Sequence, residues 1–376
     1  MGKNTPRIAV NATNVCAKAT GLQVATTEIA KEMLKQMDNN LLIYTCSQLL
    51  KNLDNSRVKL VSRYISADYW IRGIFRMLWC QSFLPMHMLA DNVHTIYSPV
   101  PEGLLLSKFQ QVITFHDILP LLYPDIYPRQ SLFFRYIAPL LIRASKAIIC
   151  VSENTKADIT REYKIKNIPI YVVYQGLNHF IFRPMNTSLA KQKYQLNRFF
   201  LYVGDMRPYK NLDRALEAFN RLRLPEHKFV IVGNKDNKFY PKLQAKVMEL
   251  KLKDKVVFTG YAPIEDLPHL YSAADALVFP SLYEGFGLPP LEAMACGCPV
   301  IASSVASLPE VCGESAYYVD PYNIDSIAEG MYKIINNPHL KKHLVERGLE
   351  RAQRFSWAKT ANQIIQILEE INEGKL

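Results

Sequence analysis

The sequence contains no apolar run approaching the roughly 18–20 residues that cross a bilayer, so no transmembrane anchor is expected. Its first stretch, MGKNTPRIAVNAT, enters a strand-like segment at once, without the apolar core of a secretory signal. Cysteine is sparse and scattered: Cys16, Cys46, Cys80, Cys150, Cys296, Cys298 and Cys312. No pair has zinc-finger spacing, and an odd count argues against a disulfide framework. A reducing cytoplasm is the simplest setting for such a chain. No internal repeat, low-complexity tract or nucleic-acid motif stands out, and nucleic acid is not expected as a partner.

Acid is scarce in one half only. Residues 1–183 carry 21 Lys+Arg against 12 Asp+Glu, a balance of +9. Residues 184–376 carry 24 against 22, or +2, which completes the total of +11. The surplus suits an anionic membrane, an anionic substrate or nucleic acid, and a plain solvated basic face stays open beside them.

What the chain does have is alternation. Short apolar runs at 7–12, 41–46, 93–99, 111–117, 146–152 and 170–176 read as buried strands, and so do 199–205, 228–234, 255–261, 276–281, 299–303 and 316–321. Amphipathic segments such as LDRALEAFNRL (212–222) separate several of them. This order predicts parallel sheets with helices on both faces. Six strands in each half predict an α/β protein of two doubly wound domains, joined within 174–190. Open α/β sheets bind ligands beyond the carboxyl ends of their strands, which makes the residues after each strand the candidates.

After the strand ending in ALVFPS comes LYEGFGLPPLEAMACG. Gly285 and Gly287 permit close backbone approach, and Pro289 and Pro290 suit a helix start. The helix then offers free N–H groups and a positive dipole end to an anion. Glu284 on the loop and Glu292 in the helix flank that cradle, where carboxylates accept hydrogen bonds from sugar and ribose hydroxyls. The pattern reads as a nucleotide-sugar site; an ordinary helix start with two solvated acids fits the local residues equally. After FFLYVGD, the loop MRPYKN places Arg207 and Lys210 where they can neutralise a diphosphate leaving group; taken alone, two solvated surface cations explain them as well. Gly21 lies in a Thr/Gly loop before a helix. His116 follows a strand in ITFHDILP and suits a sugar hydroxyl, proton transfer or a structural bond. Ser152 and Asn154 sit at a helix start, where capping is the expected task.

Taken together, these stretches resemble the retaining glycosyltransferases of family 4, which have the GT-B architecture of two Rossmann-like domains facing a cleft. SLYEGFGLPPLEAMACGCPVIAS resembles the paired-glutamate motif of that family, and VGDMRPYKNLDRALEAF its phosphate-binding loop. TFHDILPLLYP, VSENTKADI, VVYQGLNHFIFRP, GYAPIEDLPHLYSAADALVFPS and FSWAKTANQIIQIL follow in the family's order. The resemblance implies that residues 1–183 form an N-terminal acceptor-binding domain and 184–355 a nucleotide-sugar-binding domain, with a helix in 356–376 packing back on the first. It implies that Glu284 holds the donor sugar with the N–H groups of Gly285, Phe286 and Gly287, and that Leu288 offers its N–H to the diphosphate. Glu292 would bind ribose, Lys210 the diphosphate and His116 the donor sugar, while Gly21 would belong to a loop over the phosphates. The sequence departs from the family at Asp205, where many members carry arginine, and Arg207 is the expected substitute.

The implied reaction moves a hexose from a nucleoside diphosphate sugar, with retention, to a glycan, polyprenyl-linked or sugar-phosphate acceptor. No cofactor or metal is expected, in keeping with the lack of an Asp-x-Asp motif. The expected site is cytoplasmic, with peripheral attachment to an anionic inner membrane face. YISADYWIRGIFRMLWCQSFLP (64–85) is the candidate contact through Arg72 and Arg76, beside Trp70, Phe75 and Trp79; a core helix with one basic face fits the same residues. A nucleotide-sugar epimerase and a non-catalytic sugar-nucleotide-binding subunit remain as alternatives.

Overall fold

The computed structural model describes residues 7–15, 21–61, 70–106, 108–235 and 238–375, with the side chains of 70–74 and 191 outside the description. The chain forms two compact units, residues 1–176 with 357–376, and residues 177–356. The first division falls after Gly176, seven residues earlier than the boundary expected at 183, because residues 177–183 belong with the second unit.

Unit 1 holds seven strands: β1 (Arg7–Ala12), β2 (Leu41–Thr45), β3 (Val58–Leu60), β4 (Val93–Ser98), β5 (Gln110–Phe115), β6 (Ala147–Cys150) and β7 (Ile170–Val172). They lie in the order β3-β2-β1-β4-β5-β6-β7, every pair parallel. The sequence reading expected six. Val58–Leu60 is a three-residue edge strand with a lysine at its centre, too short and too polar to register as an apolar run. Unit 2 holds β8 (Arg198–Val203), β9 (His227–Val232), β10 (Val256–Gly260), β11 (Ala276–Phe279), β12 (Val300–Ser303) and β13 (Ala316–Val319), ordered β10-β9-β8-β11-β12-β13, again all parallel. Strands such as FFLYV are apolar at every position because helices cover both faces of a parallel sheet.

The helices that matter here are α1 (Gly21–Gln36), α2 (Trp70–Ala90) and α3 (Glu153–Tyr163) in unit 1. Unit 2 contributes α4 (Leu212–Leu222), α5 (Leu288–Ala295) and α6 (Ile324–Asn336), and α7 (Trp357–Asn372) ends the chain. In α4, Leu212, Ala215, Leu216 and Phe219 recur at helical spacing and are buried. In α7 the chain returns to unit 1. Trp357, Ala361, Ile364, Leu368 and Ile371 share one core with Ile8, Ile29 and Met33, and Thr95 donates from β4 to Asn372 at 2.8 Å.

Helix α2 corrects one expectation. Arg76 is only 9% exposed and grips Glu102 through two bonds of 2.6 and 2.5 Å, so it faces the core rather than a membrane. The reason is helical phase: Arg76, Cys80, Leu84 and Met88 follow one another at four-residue steps and are buried, and Trp79 beside them is buried too. Trp70 and Arg72 have side chains outside the described residues. The six cysteines among the described residues are free thiols. No described helix is long and apolar enough to cross a membrane. Counted over the two structural units, Lys+Arg less Asp+Glu is 22 − 15 = +7 for unit 1 and 23 − 19 = +4 for unit 2, a milder contrast than the split at residue 183 suggested.

Candidate active site

In unit 2 the strand order reverses between β8 and β11. A crevice for a ligand opens at such a point, beyond the carboxyl ends of the two strands. The two loops that the sequence singled out are the ones leaving β8 and β11, so topology brings Lys210 and Glu284 together across 74 residues of chain.

The loop after β8 runs through Asp205, Met206 and Arg207 into a 3-10 turn, Pro208–Lys210. Asn211 follows with φ 62°, a left-handed conformation that asparagine tolerates better than most residues. Its buried amide donates to the carbonyls of Pro280 at 2.9 Å and Pro321 at 2.7 Å, tying together the loops that leave β8, β11 and β13. The Leu282 N–H adds a bond of 2.8 Å to the Tyr209 carbonyl. Between these ties, Lys210 Nζ meets Glu284 Oε1 at 2.6 Å, both side chains being almost buried. The Lys210 ammonium also lies 5.2 Å from the Tyr209 ring centre and 5.5 Å from that of Phe279, within cation–π range. Such an ion pair loses much of its hydration, and breaking it by removing one partner leaves the other charge uncompensated.

Past Glu284 the backbone is held from behind. Ser307 Oγ, fully buried, lies 2.9 Å from the carbonyls of both Glu284 and Phe286 and shares its one proton between them. The Phe286 ring packs edge-on against Phe355, centres 5.9 Å apart. Gly287 has φ 106°, a conformation that side-chain-bearing residues rarely adopt, and a Cβ there would approach Leu308 Cδ2 to 2.8 Å and push that side chain aside. Leu288 then begins α5; Pro289 and Pro290 in its first turn carry no N–H, so the Leu288 N–H is the early donor left without an intrahelical partner. Four residues into α5, Glu292 accepts a 2.9 Å bond from the buried Tyr271 hydroxyl. Burial pushes its carboxyl up to about 7, although the Tyr271 bond works in the opposite direction.

Arg207 lies in the same loop as Lys210 but makes a 3.1 Å ion pair with Asp205 and keeps about a third of its side chain exposed. Asp205, the departure from the family pattern, thus engages the cation expected to replace the missing arginine.

The other two candidates belong to unit 1. His116 follows β5 and is buried. Its Nε2 lies 2.7 Å from the Pro99 carbonyl, an acceptor only, so Nε2 carries the proton; Nδ1 accepts from the Gln175 amide at 2.8 Å. Burial lowers its pKa to about 4, with the Pro99 bond opposing the shift. Gly21 opens α1, and a Cβ added there meets no atom within 4 Å, so nothing in the described protein requires glycine at that place. Residues 16–20, which precede it, lie outside the described residues. Ser152 caps α3 by accepting from the Thr155 N–H at 3.0 Å, the capping task expected for it.

Sequence reading missed Asn211, Ser307, Tyr271 and Gln175. Asn211 carried a signal, an asparagine directly before an amphipathic helix. The other three act through contacts 21 to 59 residues away in sequence and had none.

Comparison with known proteins adds identity to this geometry. The family model described as "Glycosyltransferase Family 4" matches residues 19–179, and that described as "Glycosyl transferases group 1" matches 187–351. O-antigen chain mannosyltransferase B of Escherichia coli is 34% identical over 267 residues, 68% of each chain. O-antigen chain mannosyltransferase RfbU of Salmonella typhimurium is 36% identical over 211 residues, 56% of this chain and 57% of its own. Among solved structures, sucrose-phosphate synthase from Thermosynechococcus elongatus superposes with a TM-score of 0.79 at 21% identity, covering 98% of this chain and all of its own. The Anabaena protein HepE, in complex with UDP and glucose, gives 0.76 at 19% identity, covering 97% of this chain and all of its own.

Proposed function

The chain belongs to the glycosyltransferases of family 4, with the GT-B fold, and from that premise we propose a retaining, metal-independent hexosyltransferase that moves a mannose-type sugar from a nucleoside diphosphate. The acceptor is a hydroxyl of a glycan, polyprenyl-linked or sugar-phosphate molecule, met at an anionic inner membrane face. The observation that carries this reading is the nearly buried Lys210–Glu284 pair, set between the loop tied by Asn211 and the N-terminus of α5. The two mannosyltransferase relatives support the choice of sugar.

In this reading Glu284 and the N–H groups of Gly285, Phe286 and Gly287 hold the donor sugar. Lys210 and the Leu288 N–H face the diphosphate, and Glu292 accepts from the ribose. The acceptor oxygen bonds to the anomeric carbon on the face from which the diphosphate departs. The bond from that carbon to the phosphate oxygen breaks with its electron pair, and the acceptor's proton passes to the departing phosphate oxygen. Lys210 and the helix N-terminus take up the charge that develops there. Arg207 is the weaker cation because Asp205 already engages it. His116 is neutral above about pH 5 with both ring nitrogens engaged, so it is a poor proton carrier.

The test is a donor screen in the presence of a chelator, with the product's anomeric configuration read by NMR. Release of nucleoside diphosphate from the mannosyl donor, with retention and undiminished by chelation, is expected. An inverted product or chelator-sensitive turnover would overturn the mechanism. Recovery of an epimerised donor, or of unchanged donor with every acceptor, would return the two alternatives.

A further inference from the structure

Two helical stretches of unit 1 carry no carboxylate at all: α2, and the segment 128–146, which holds Arg129, Arg135, Arg143 and Lys146. They are neighbours, since Met77 and Gln81 of α2 line one crevice with Phe133, Ile137 and Leu141. Each turns large apolar side chains to solvent. In α2, Phe75 is 53% and Met86 64% exposed, with Leu78 also exposed on the face opposite Arg76, Cys80 and Leu84. In the second segment Leu132, Tyr136 and Leu140 stand exposed at four-residue steps, Leu132 at 58% and Tyr136 at 63%. Arg135 and Arg143 are exposed one position to the side of this row, and among the described residues no ion pair engages either of them. Scattered exposed leucines are ordinary, but two adjoining apolar rows edged by arginines are not.

We propose that these faces form a docking surface for an anionic lipid leaflet. Leu132, Tyr136, Phe75 and Met86 enter the boundary between headgroups and acyl chains. Arg135 and Arg143 reach up to the lipid phosphates, their aliphatic stems lying along the apolar row. Charge decides between a leaflet and a second copy of the chain. A twofold contact sets the same patch against itself and would oppose its arginines without a carboxylate to answer them. An anionic surface supplies the missing charge, and salt screens the attraction. The proposal deepens the membrane-facing part of the reading above, and moves the contact from Arg76 to the 128–146 segment.

The test is co-sedimentation with vesicles of phosphatidylcholine, with and without phosphatidylglycerol, at low and high salt. Wild type is expected to pellet with the anionic vesicles at low salt and to be released at high salt. Arg135→Glu with Arg143→Glu, and separately Leu132→Glu with Tyr136→Glu, should each lower the bound fraction at least about tenfold. Nucleoside diphosphate affinity and turnover of soluble donor, measured without vesicles, should stay unchanged, so a failed donor reading shows independently of this one. If a glutamate pair disturbs folding, the milder Arg135→Gln with Arg143→Gln variant still weakens binding severalfold. Wild type remaining in the supernatant at low salt would overturn the proposal. So would variants that bind as wild type does, or a wild-type dimer that sheds no protein to vesicles and becomes monomeric in the variants.

Discussion

The two units share one architecture and use their polar residues differently. In unit 2 they converge: Lys210, Glu284, Asn211 and Ser307 gather at the carboxyl ends of β8 and β11 and bind one another or backbone carbonyls. In unit 1 the polar pairs are spread through the interior, Arg76 with Glu102 and His116 with Gln175, while the cations of 128–146 point outward beside apolar side chains. The lesson is that net charge is a poor guide to which unit handles an anion. The milder contrast, +7 against +4, conceals a local site in one unit and a local surface in the other.

The contrast can be broken or sharpened by substitution. The largest effect is expected at the interior pair of unit 1. Arg76→Ala leaves Glu102 uncompensated and should cost about 3 kcal/mol in chemical denaturation, the lower end for a buried pair because the Glu102 side chain is 28% exposed. Vesicle binding should be untouched by it. If Arg76→Ala instead kept full stability and abolished vesicle binding, the original membrane expectation would be restored.

Next comes the ion pair of unit 2. Lys210→Ala and Glu284→Ala should each lower turnover by about 10²-fold or more, and the double variant should lose little beyond either, because both single changes break one unit of function. Additive losses would mean that the two side chains act separately.

Arg207→Ala should weaken nucleoside diphosphate affinity by about tenfold, near the lower limit for a charge-assisted hydrogen bond, since Asp205 already shares the guanidinium. Calorimetry with no change in affinity would assign Arg207 wholly to Asp205.

The smallest effect is a pH dependence. The Glu292 carboxyl titrates at about 7, so it is mostly ionised at pH 8 and mostly protonated at pH 6. Ribose hydroxyls donate to the ionised form, and nucleoside diphosphate affinity should therefore fall severalfold as pH drops from 8 to 6. In Glu292→Gln the slope should shrink to that of the diphosphate's own terminal phosphate; an equal slope in that variant would place the titrating group elsewhere.

Much of this was legible in the sequence, for identifiable reasons. All twelve expected strands occur, because parallel strands buried on both faces are continuous apolar runs. The glycine-rich loop was legible because Gly287 answers a local backbone demand and the prolines mark a helix start. Val58–Leu60 was not legible, being an edge strand with a polar centre. The direction of Arg76 was not legible either: an arginine beside tryptophan fits a wet face or a core face, and the choice depends on Glu102, 26 residues away. The binding of Asp205 to Arg207 and the two partners of His116 depend likewise on folded geometry, which composition and spacing do not contain.

The central claim is that the donor's diphosphate lies between the loop after β8 and the start of α5. Amide hydrogen exchange with and without nucleoside diphosphate tests it most directly. Slowed exchange is expected at residues 207–211 and 285–288, with much smaller change in the carboxylate-free segment 128–146. Unchanged exchange in both loops, with protection appearing elsewhere in the chain, would contradict it.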